Sequence, residues 1–434
     1  MRPIAFSVFA SLFVSACASP SPSKPTGSCE IEASSFGALN IGEGSRLAIP
    51  LTGALASRDD LTFASEGPIS VVKEADRVLV YADYGSSDAA TLKVSCARGE
   101  TRMPVTIRKI AWSKVASWNS DNGGPPAREY GAWWLDDAAD RLFVFGGFQY
   151  KPVQYTPSND LWSFDLATKQ WSAVKQVGDV PLSPGGRVAH GSMPNSMLFF
   201  GGIEKASNKT PPLLKNVDYT GDSATWSDAP FASSSPGSYT GSLIYDSRRK
   251  RWLSVCGAAS DGYNCLVNAY SPTIGWSNVA VAAGDKPKGR DGFHYAYDDE
   301  TDRVFIYAGQ VGTQNLDMIG DTWALELGET PPRWVKLVDE STDPGKRRNG
   351  AYALDPIGRR LLVWGGTADG THSLPGVQVL GLDRGRETWK LLDVPIEVPE
   401  RCSGMGVYDA KRNQVYWGFG NNDAIFTDVW SMSL

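Results

Sequence analysis

A tryptophan recurs about every 50 residues over the last three quarters of the chain, and this period constrains the fold more than any other feature. The recurring residues are Trp112, Trp171, Trp226, Trp276, Trp334 and Trp389. A pair of small residues precedes five of them by 18 to 25 residues (258 to 276 at the shortest, 309 to 334 at the longest). These pairs are Gly146-Gly147, Gly201-Gly202, Gly257-Ala258, Ala308-Gly309 and Gly365-Gly366. A regular period of this length indicates a repeat architecture.

One repeat, from Arg128 to Trp171, shows what each unit contains. Short apolar runs separated by turn residues predict four strands and no helix. The predicted strands are Ala132–Leu135, Leu142–Phe145, Asn159–Leu166 and Trp171–Val174. We expect the Gly-Gly pair to end the second strand, because glycine frees the chain to leave a sheet. The fold class is therefore predicted to be all-β.

The repeat resembles the kelch repeat, which has an Arg at the first strand, Gly-Gly after the second, Asp-x-Trp on the third and Trp on the fourth. The third-strand matches are Asn159-Asp160-Leu161-Trp162, Gly320-Asp321-Thr322-Trp323 and Thr427-Asp428-Val429-Trp430. The fourth-strand matches are Trp112-Ser113-Lys114-Val115, Trp171-Ser172-Ala173-Val174 and Trp276-Ser277-Asn278-Val279. The resemblance covers roughly residues 110–434 and implies a β-propeller of four-stranded blades around a channel.

Six first strands are expected in this region, so the resemblance implies a six-bladed propeller. They begin near Arg128, Arg187, Ser238, Arg290, Arg347 and Arg401. The last blade stops at Leu434 without a fourth strand, whereas Ala111–Val115 is a fourth-strand sequence without a blade. We therefore expect Ala111–Val115 to complete the last blade and close the ring, which removes a free sheet edge.

The N-terminus resembles a bacterial lipoprotein leader. Residues 1–16 contain an apolar run that is too short to span a bilayer, and Val14-Ser15-Ala16-Cys17 resembles a lipobox. This predicts a signal peptide over 1–16, lipidation at Cys17 and a Ser/Pro-rich stalk over 17–28. The expected location is the bacterial cell envelope, anchored by lipid to the outer membrane on the periplasmic or outer side. Ordinary secretion with cleavage near Cys17 is the alternative.

Residues 29–109 are expected to form a small Ig-like β-sandwich ahead of the propeller at 110–434. The predicted strands are Arg46–Leu51, Arg77–Tyr81, Ala90–Ser95 and Met103–Ile107. No Trp lies between Cys29 and Cys96, so the segment departs from a true immunoglobulin domain. An exported compartment favours disulfides, and local pairing predicts Cys29–Cys96 and Cys256–Cys265. Cys402 is then left as a small buried residue or, alternatively, a reactive thiol.

Five arginines make up the predicted ligand site. In a propeller, the starts of the first strands and the loops between second and third strands lie on one face. The arginines on that face are Arg128, Arg187, Arg290, Arg347 and Arg401, and the loop residues expected to add contacts are Tyr150, Tyr155, Gln149, Gln310 and Asn315. Guanidinium groups bind carboxylates in bidentate fashion, so the ligand is expected to be anionic or sugar-like. The alternative is that these arginines belong to the repeat and brace the blades.

No catalytic residue, metal site or cofactor is predicted. The histidines His190, His294 and His372 lack metal-ligand spacing, and no nucleophile or phosphate-loop motif occurs. A net charge of −6 argues against a nucleic-acid partner. The expected function is a non-catalytic binding module for a protein or carbohydrate ligand. The alternatives are a sugar-processing enzyme resembling the kelch-type sialic-acid mutarotases and a copper oxidase resembling galactose oxidase.

Overall fold

The computed structural model describes residues 29, 38–52, 55, 58–85, 89–118, 123–151, 154–193, 195–204, 210–236, 238–259, 262–312, 317–339, 344–422 and 425–434. Over these residues the chain is almost entirely β-structure, as the repeat predicts, with a short 3-10 turn at Ala232–Ser234. The described part contains no helix long and apolar enough to cross a membrane. The predicted signal peptide, Cys17 and the stalk lie outside the described residues.

The N-terminal unit consists of two sheets that share one apolar core. Its strands are β1 (Leu39–Gly42), β2 (Arg46–Pro50), β3 (Thr62–Glu66), β4 (Ile69–Lys73), β5 (Arg77–Ala82), β6 (Ala89–Cys96) and β7 (Gly99–Arg108). One sheet has the order β1-β7-β6-β3 and the other β2-β5-β4. Ile41, Val80 and Leu92 pack between them and are at most 2% exposed. Cys96 is joined to Cys29, as the sequence predicts.

Six further sheets follow within the described residues, each built around an antiparallel up-and-down set of four strands. Sheet 1 contains β9 (Arg128–Glu129), β10 (Ala132–Asp136), β11 (Arg141–Lys151), β12 (Gln154–Asp165) and β13 (Gln170–Ala173). Sheet 2 contains β14 (Lys175–Gly178), β15 (Arg187–His190), β16 (Ser196–Phe200), β17 (Leu214–Tyr219) and β18 (Ser223–Asp228). Sheet 3 contains β19 (Ile244–Asp246), β20 (Arg251–Ala259), β21 (Gly262–Ser271) and β22 (Gly275–Asn278).

The remaining three sheets repeat this pattern. Sheet 4 contains β23 (His294–Asp298), β24 (Arg303–Gln310), β25 (Met318–Glu326) and β26 (Arg333–Val338). Sheet 5 contains β27 (Ala351–Asp355), β28 (Arg360–Trp364), β29 (Val377–Gly381) and β30 (Trp389–Leu392). Sheet 6 contains β31 (Met405–Asp409), β32 (Gln414–Gly418), β33 (Asp428–Ser433) and, from the other end of the region, β8 (Ala111–Ser117).

The predicted closure through β8 is confirmed. β8 pairs antiparallel with β33, with Trp112 opposite Met432 and Ser117 opposite Asp428. The innermost strands also contact each other in cyclic order, β10 to β15, β19, β23, β27, β31 and back to β10. Aromatic side chains fill the spaces between neighbouring sheets, as where Phe145 lies 4.4 Å from Trp226 (between ring centroids). Closure therefore buries the edge that β33 would otherwise expose.

The small-residue pairs do not always end the second strand, and this expectation needs correction. The strands β11, β20 and β24 continue past the pair through a shift in register, whereas β16 and β28 end before it. The predicted loop Phe148–Ser158 is consequently paired for most of its length in a hairpin of β11 and β12. The reason is a bulge in which both residues have positive φ, 61° at Gly146 and 88° at Gly147. In sheet 3 the bulge falls on Cys256-Gly257 rather than Gly257-Ala258.

The N-terminal unit docks on the face where the first strands end. Arg46, 7% exposed, donates to Glu300 at 2.6 Å and to Asp383 at 3.0 Å, two residues in turns of sheets 4 and 5. Arg360 of sheet 5 donates to the backbone oxygen of Glu43 at 2.7 Å. This face lies at the opposite end of the inner strands from Arg128, Arg290 and their equivalents.

Candidate functional site

The predicted ring of arginines separates into two different sets. In four sheets, Nη1 of an arginine donates to the carbonyl oxygen 18 residues further on, at the bulge. These donors are Arg128, Arg290, Arg347 and Arg401. In sheet 2 the same place is held by Ser183, whose Oγ donates to the Gly201 carbonyl at 3.0 Å, and in sheet 3 by Ser238. Arg187 lies four residues beyond this position and is not part of the set.

Three of the four arginines form buried ion pairs with an aspartate on the third strand. The shortest distances are 2.7 Å for Arg128–Asp160, 2.6 Å for Arg290–Asp321 and 2.7 Å for Arg401–Asp428, and each of these arginine side chains is fully buried. Each aspartate also accepts from the indole Nε1 two residues later, at 2.7–2.8 Å. The Asp-x-Trp motif is thus an acceptor for two donors inside a sheet, so these contacts fit the bracing alternative.

Arg187 occupies a different environment, in the wall of the central channel. Its equivalents in the other sheets are Ala132, Ser242, His294, Ala351 and Met405. The side chain is half-buried and its Nε donates to the Gly241 carbonyl at 3.2 Å. No carboxylate lies within 4.0 Å of its guanidinium among the residues that the structure describes. Of the five predicted arginines, Arg187 alone lines the channel cavity.

This cavity measures about 210 Å³ and runs between the inner strands. Glycines make room for it, because the third residue after the bracing position is glycine in five of the six sheets. These are Gly131, Gly186, Gly241, Gly350 and Gly404. A Cβ at Gly186 would lie 2.2 Å from the Phe199 ring, and one at Gly350 would lie 2.8 Å from His294 Nε2. Polar contributions to the wall come from Arg187 and from the phenols of Tyr130, Tyr295 and Tyr352.

A ring of left-handed residues closes one end of the cavity. The second residue after the bracing position has φ between 49° and 75° in all six sheets: Tyr130, Gly185, Thr240, Gly292, Asn349 and Ser403. Backbone amides link neighbours around this ring, for example Asn349 to Gly292 at 2.8 Å and Ser403 to Asn349 at 2.6 Å. The Tyr130 hydroxyl accepts from Asn349 Nδ2 at 2.8 Å, so its side chain spans the channel. We call this layer the roof.

Charged residues lie beside the roof, and each sheet contributes a different one. Burial raises the pKa of Glu129 to about 7, although Asn421 donates to its carboxylate. Burial also raises the pKa of Asp291, which is 8% exposed. Thr240 donates to Asp291 Oδ2 at 3.3 Å, whereas Oδ1 has no hydrogen-bond partner among the described residues. Both carboxyl groups therefore hold protons at higher pH than exposed ones do.

The histidines do not form a metal site. His294 is fully buried, its Nε2 accepts from the Gly350 amide at 2.9 Å, and burial lowers its pKa to about 3. It therefore joins sheets 4 and 5 as a neutral ring. His190 lies on sheet 2 and His372 is an exposed residue of sheet 5. No group of three His, Cys, Asp or Glu residues suited to a metal occurs in the described part of the chain. This donor set does not fit the copper site of a galactose oxidase.

The predicted loop residues take other positions. Gln310 is buried beside the roof, where it accepts from Arg348 and donates to the Gly312 carbonyl at 3.0 Å. Gln149 donates to Asp160 at 3.0 Å and so supports a bracing pair. Tyr150 and Tyr155 pair through their backbones in the hairpin, but their side chains and Asn315 lie outside the described residues. Cys256 is joined to Cys265, and Cys402 is a free, half-buried thiol.

The roof tyrosines and the glycine layer escaped the sequence argument, although a signal for them exists. Counted back 18 residues from the bulge carbonyl rather than forward from a Trp, the repeats align with Ser183 beneath Arg128. The recurring glycine three residues later then becomes visible as a feature of the inner strand.

Comparison with known proteins identifies the repeats. Residues 258–434 match the family model described as the KLHDC2/KLHL20/DRC7 Kelch-repeats domain, and residues 139–177 match the Kelch motif. The chain carries kelch repeats and folds as a kelch-type propeller. A solved structure titled "Structure of YjhT" is 14% identical, with a TM-score of 0.49 over 72% of this chain and 96% of that one.

The similar curated proteins are larger than this chain. Adagio-like protein 1 of Oryza sativa subsp. japonica is 24% identical over 76% of this chain and 52% of its own length. Putative adagio-like protein 2 of the same organism is 26% identical over 69% of this chain and 47% of its own length. Tip elongation aberrant protein 1 of Schizosaccharomyces pombe is 28% identical over 50% of this chain and 18% of its own length. The chain thus spans about half the length, or less, of these relatives.

Proposed function

We propose that the protein is a propeller-based binding module that holds a small anionic ligand in its central cavity, with Arg187 as the binding cation. The observation that carries this proposal is the contrast between two kinds of arginine. Arg128, Arg290 and Arg401 are neutralised by aspartates, whereas Arg187 lines the cavity without a carboxylate partner among the described residues. A partly desolvated cation gains most from a counter-charge that a ligand brings.

The dimensions and lining support a ligand smaller than a typical drug. Drug-sized ligands occupy pockets of about 300–1,000 Å³, and the present cavity is about 210 Å³. Arg187 spends Nε on the Gly241 carbonyl, which leaves its two terminal nitrogens for a bidentate anion. The phenols of Tyr295 and Tyr352 add a polar and aromatic wall. An acidic carbohydrate fragment or another small organic anion suits these groups.

The architecture that we propose for this module is a six-bladed propeller over residues 110–434, preceded by an Ig-like sandwich over residues 29–109. The cyclic contacts of six inner strands and the pairing of β8 with β33 support the blade count. We further propose that Cys17 anchors the chain by lipid to the bacterial envelope. The N-terminal unit docks on the face opposite the roof, so an anchor on that side would leave the roof pointing away from the membrane.

A glycan array and a thermal-shift panel test the binding proposal. Each acidic compound is paired with its neutral counterpart, such as glucuronate with glucose, and both are measured on the wild type and on Arg187→Gln. We expect acidic compounds alone to bind or to raise the melting temperature, and the effect to disappear in Arg187→Gln. Arg333→Gln, which removes an exposed charge of sheet 4, is the matched control and should behave like the wild type. Equal responses from both variants would overturn the role of Arg187.

A second candidate, a sugar-processing enzyme resembling the kelch-type sialic-acid mutarotases, is favoured by one observation. Glu129 and Asp291 belong to sheets 1 and 4, on opposite sides of the roof, and both have raised pKa values. Two carboxyl groups that exchange protons near neutral pH suit acid–base chemistry on a sugar ring. Proton NMR of a freshly dissolved acidic sugar tests this idea. Faster equilibration of its anomers, slowed in Glu129→Gln and Asp291→Asn, would support it, and an unchanged rate would exclude it for that sugar.

A further inference from the structure

One of the four bracing arginines lacks the carboxylate that the others have. Arg347 is 3% exposed, and its Nη1 donates to the Gly365 carbonyl at 2.5 Å, as its equivalents do. Its Nε has no hydrogen-bond partner among the described residues. No carboxylate of the described chain forms an ion pair with it, whereas Arg128, Arg290 and Arg401 each have one. The cation is therefore buried without a counter-charge from its own sheet.

The strand register explains this difference. Leu161, the residue after Asp160, pairs with Phe145, and Val377 pairs with the equivalent Trp364, so Gly376 stands where Asp160 stands in sheet 1. By the same register Asp321 and Asp428 hold this place in sheets 4 and 6.

The two remaining sheets show that the two positions change together. In sheet 2, Phe200 pairs with Leu214, which puts Leu213 at the aspartate position opposite Ser183. In sheet 3, Val255 pairs with Val267, which puts Leu266 there opposite Ser238. Arginine thus occurs with aspartate three times and serine with leucine twice. Arg347 with Gly376 is the single combination that leaves a guanidinium uncompensated within the described residues.

We infer that Arg347 is the centre of a second anion site, in which a small monovalent carboxylate takes the part that the aspartate side chain plays in the neighbouring sheets. Glycine at position 376 removes the carboxylate and its Cβ together. Gly376 lies in the wall of a groove of about 470 Å³ between sheets 5 and 6, which gives a path from solvent. Asp393 and Glu400 belong to the same wall, and their charges oppose a dianion such as sulfate.

Tyr307 contributes to the same environment. In sheet 6 the guanidinium of Arg401 lies 4.6 Å from the ring of Trp364 in the preceding sheet. Tyr307 is the equivalent of Trp364 in sheet 4, so it is the aromatic neighbour of Arg347. A phenol supplies a dipole and an aromatic face but no full charge, and a full charge is what a buried guanidinium needs.

The melting temperature of the full chain in formate tests this inference, with sulfate at equal ionic strength as the control. We expect formate to raise the melting temperature of the wild type along a saturating curve, and the saturating component to be lost in Arg347→Met. Methionine keeps the length and removes the charge, so the variant should be at least as stable as the wild type without formate. Arg187→Gln should keep the response, which separates this site from the central cavity.

A second measurement applies even where Arg347→Met does not fold. A crystal structure of the wild type grown in formate should show a planar three-atom density against the Arg347 guanidinium. Absence of that density, or a formate response that is equal in the wild type and in Arg347→Met, would overturn the inference.

Discussion

Removal of the Asp321 carboxylate should destabilise the whole propeller strongly. Asp321 is 4% exposed at its side chain and Arg290 is fully buried, so Asp321→Ala leaves a guanidinium without a counter-charge in a region that water does not reach. Breaking a buried pair in this way costs about 3–5 kcal/mol. The Trp323 Nε1 donor loses its acceptor as well. With about 2–4 °C for each kcal/mol in large domains, the melting temperature should fall by roughly 6–20 °C.

Two comparison variants make this prediction specific. The side chain of Asp160 is 31% exposed, so water can replace part of its pair with Arg128, and Asp160→Ala should cost about 1.5–3 kcal/mol. The double variant Arg290→Ser with Asp321→Leu copies the natural pairs of sheets 2 and 3 and should recover much of the lost stability. Circular dichroism during heating and urea titration measures all three. A loss below about 1 kcal/mol in Asp321→Ala, or a double variant as poor as the sum of its single changes, would refute the reasoning.

Three further predictions concern closure and pH. Deletion of β8, residues 111–117, exposes the edge of β33 and should lower the melting temperature and promote aggregation, as light scattering during heating would show. The folded-state pKa of Glu129 is raised from 4.5 to about 7 by burial, so stability should fall as pH rises from about 4.5 to 7 by on the order of 2–3 kcal/mol; Glu129→Gln should abolish this slope in urea titrations. Burial opposes ionisation of Glu300, but Arg46 and its neighbours keep its pKa below 4.5, so stability should be lost as pH falls below that value, and less so in Glu300→Gln.

Much of the fold could be predicted from the sequence because each recurring motif has a local physical cause. Asp-x-Trp places an acceptor and a donor on one face of a strand, which fixes the third strand of a sheet. The lone fourth-strand sequence at Ala111–Val115 predicted closure, since both it and the last sheet lacked a partner. The bulges were harder to predict, because a Gly-Gly pair permits either a strand end or a bulge. Only the pairing of the flanking residues decides between the two.

The candidate site could be predicted far less well. Arg128 and Arg187 both lie 16 residues after a Trp, so counting from Trp placed them together. The loops between sheets differ in length, however, and the constant interval is the 18 residues to the bulge carbonyl. The roof residues Glu129, Asp291 and Arg348 are different in every sheet. A repeat pattern gives no signal for residues that do not repeat, and only the closed ring brings them together.

The affinity of Arg187→Gln for the best acidic ligand tests the central claim most directly. Isothermal titration calorimetry at low and at physiological salt compares this variant with the wild type and with Arg333→Gln. A lost charge-assisted hydrogen bond is worth about 1.5–3 kcal/mol, so we expect affinity to fall by roughly 10- to 150-fold in Arg187→Gln. The wild type should bind more weakly as salt increases. An Arg187→Gln protein that folds normally and binds the ligand with unchanged affinity would contradict the account.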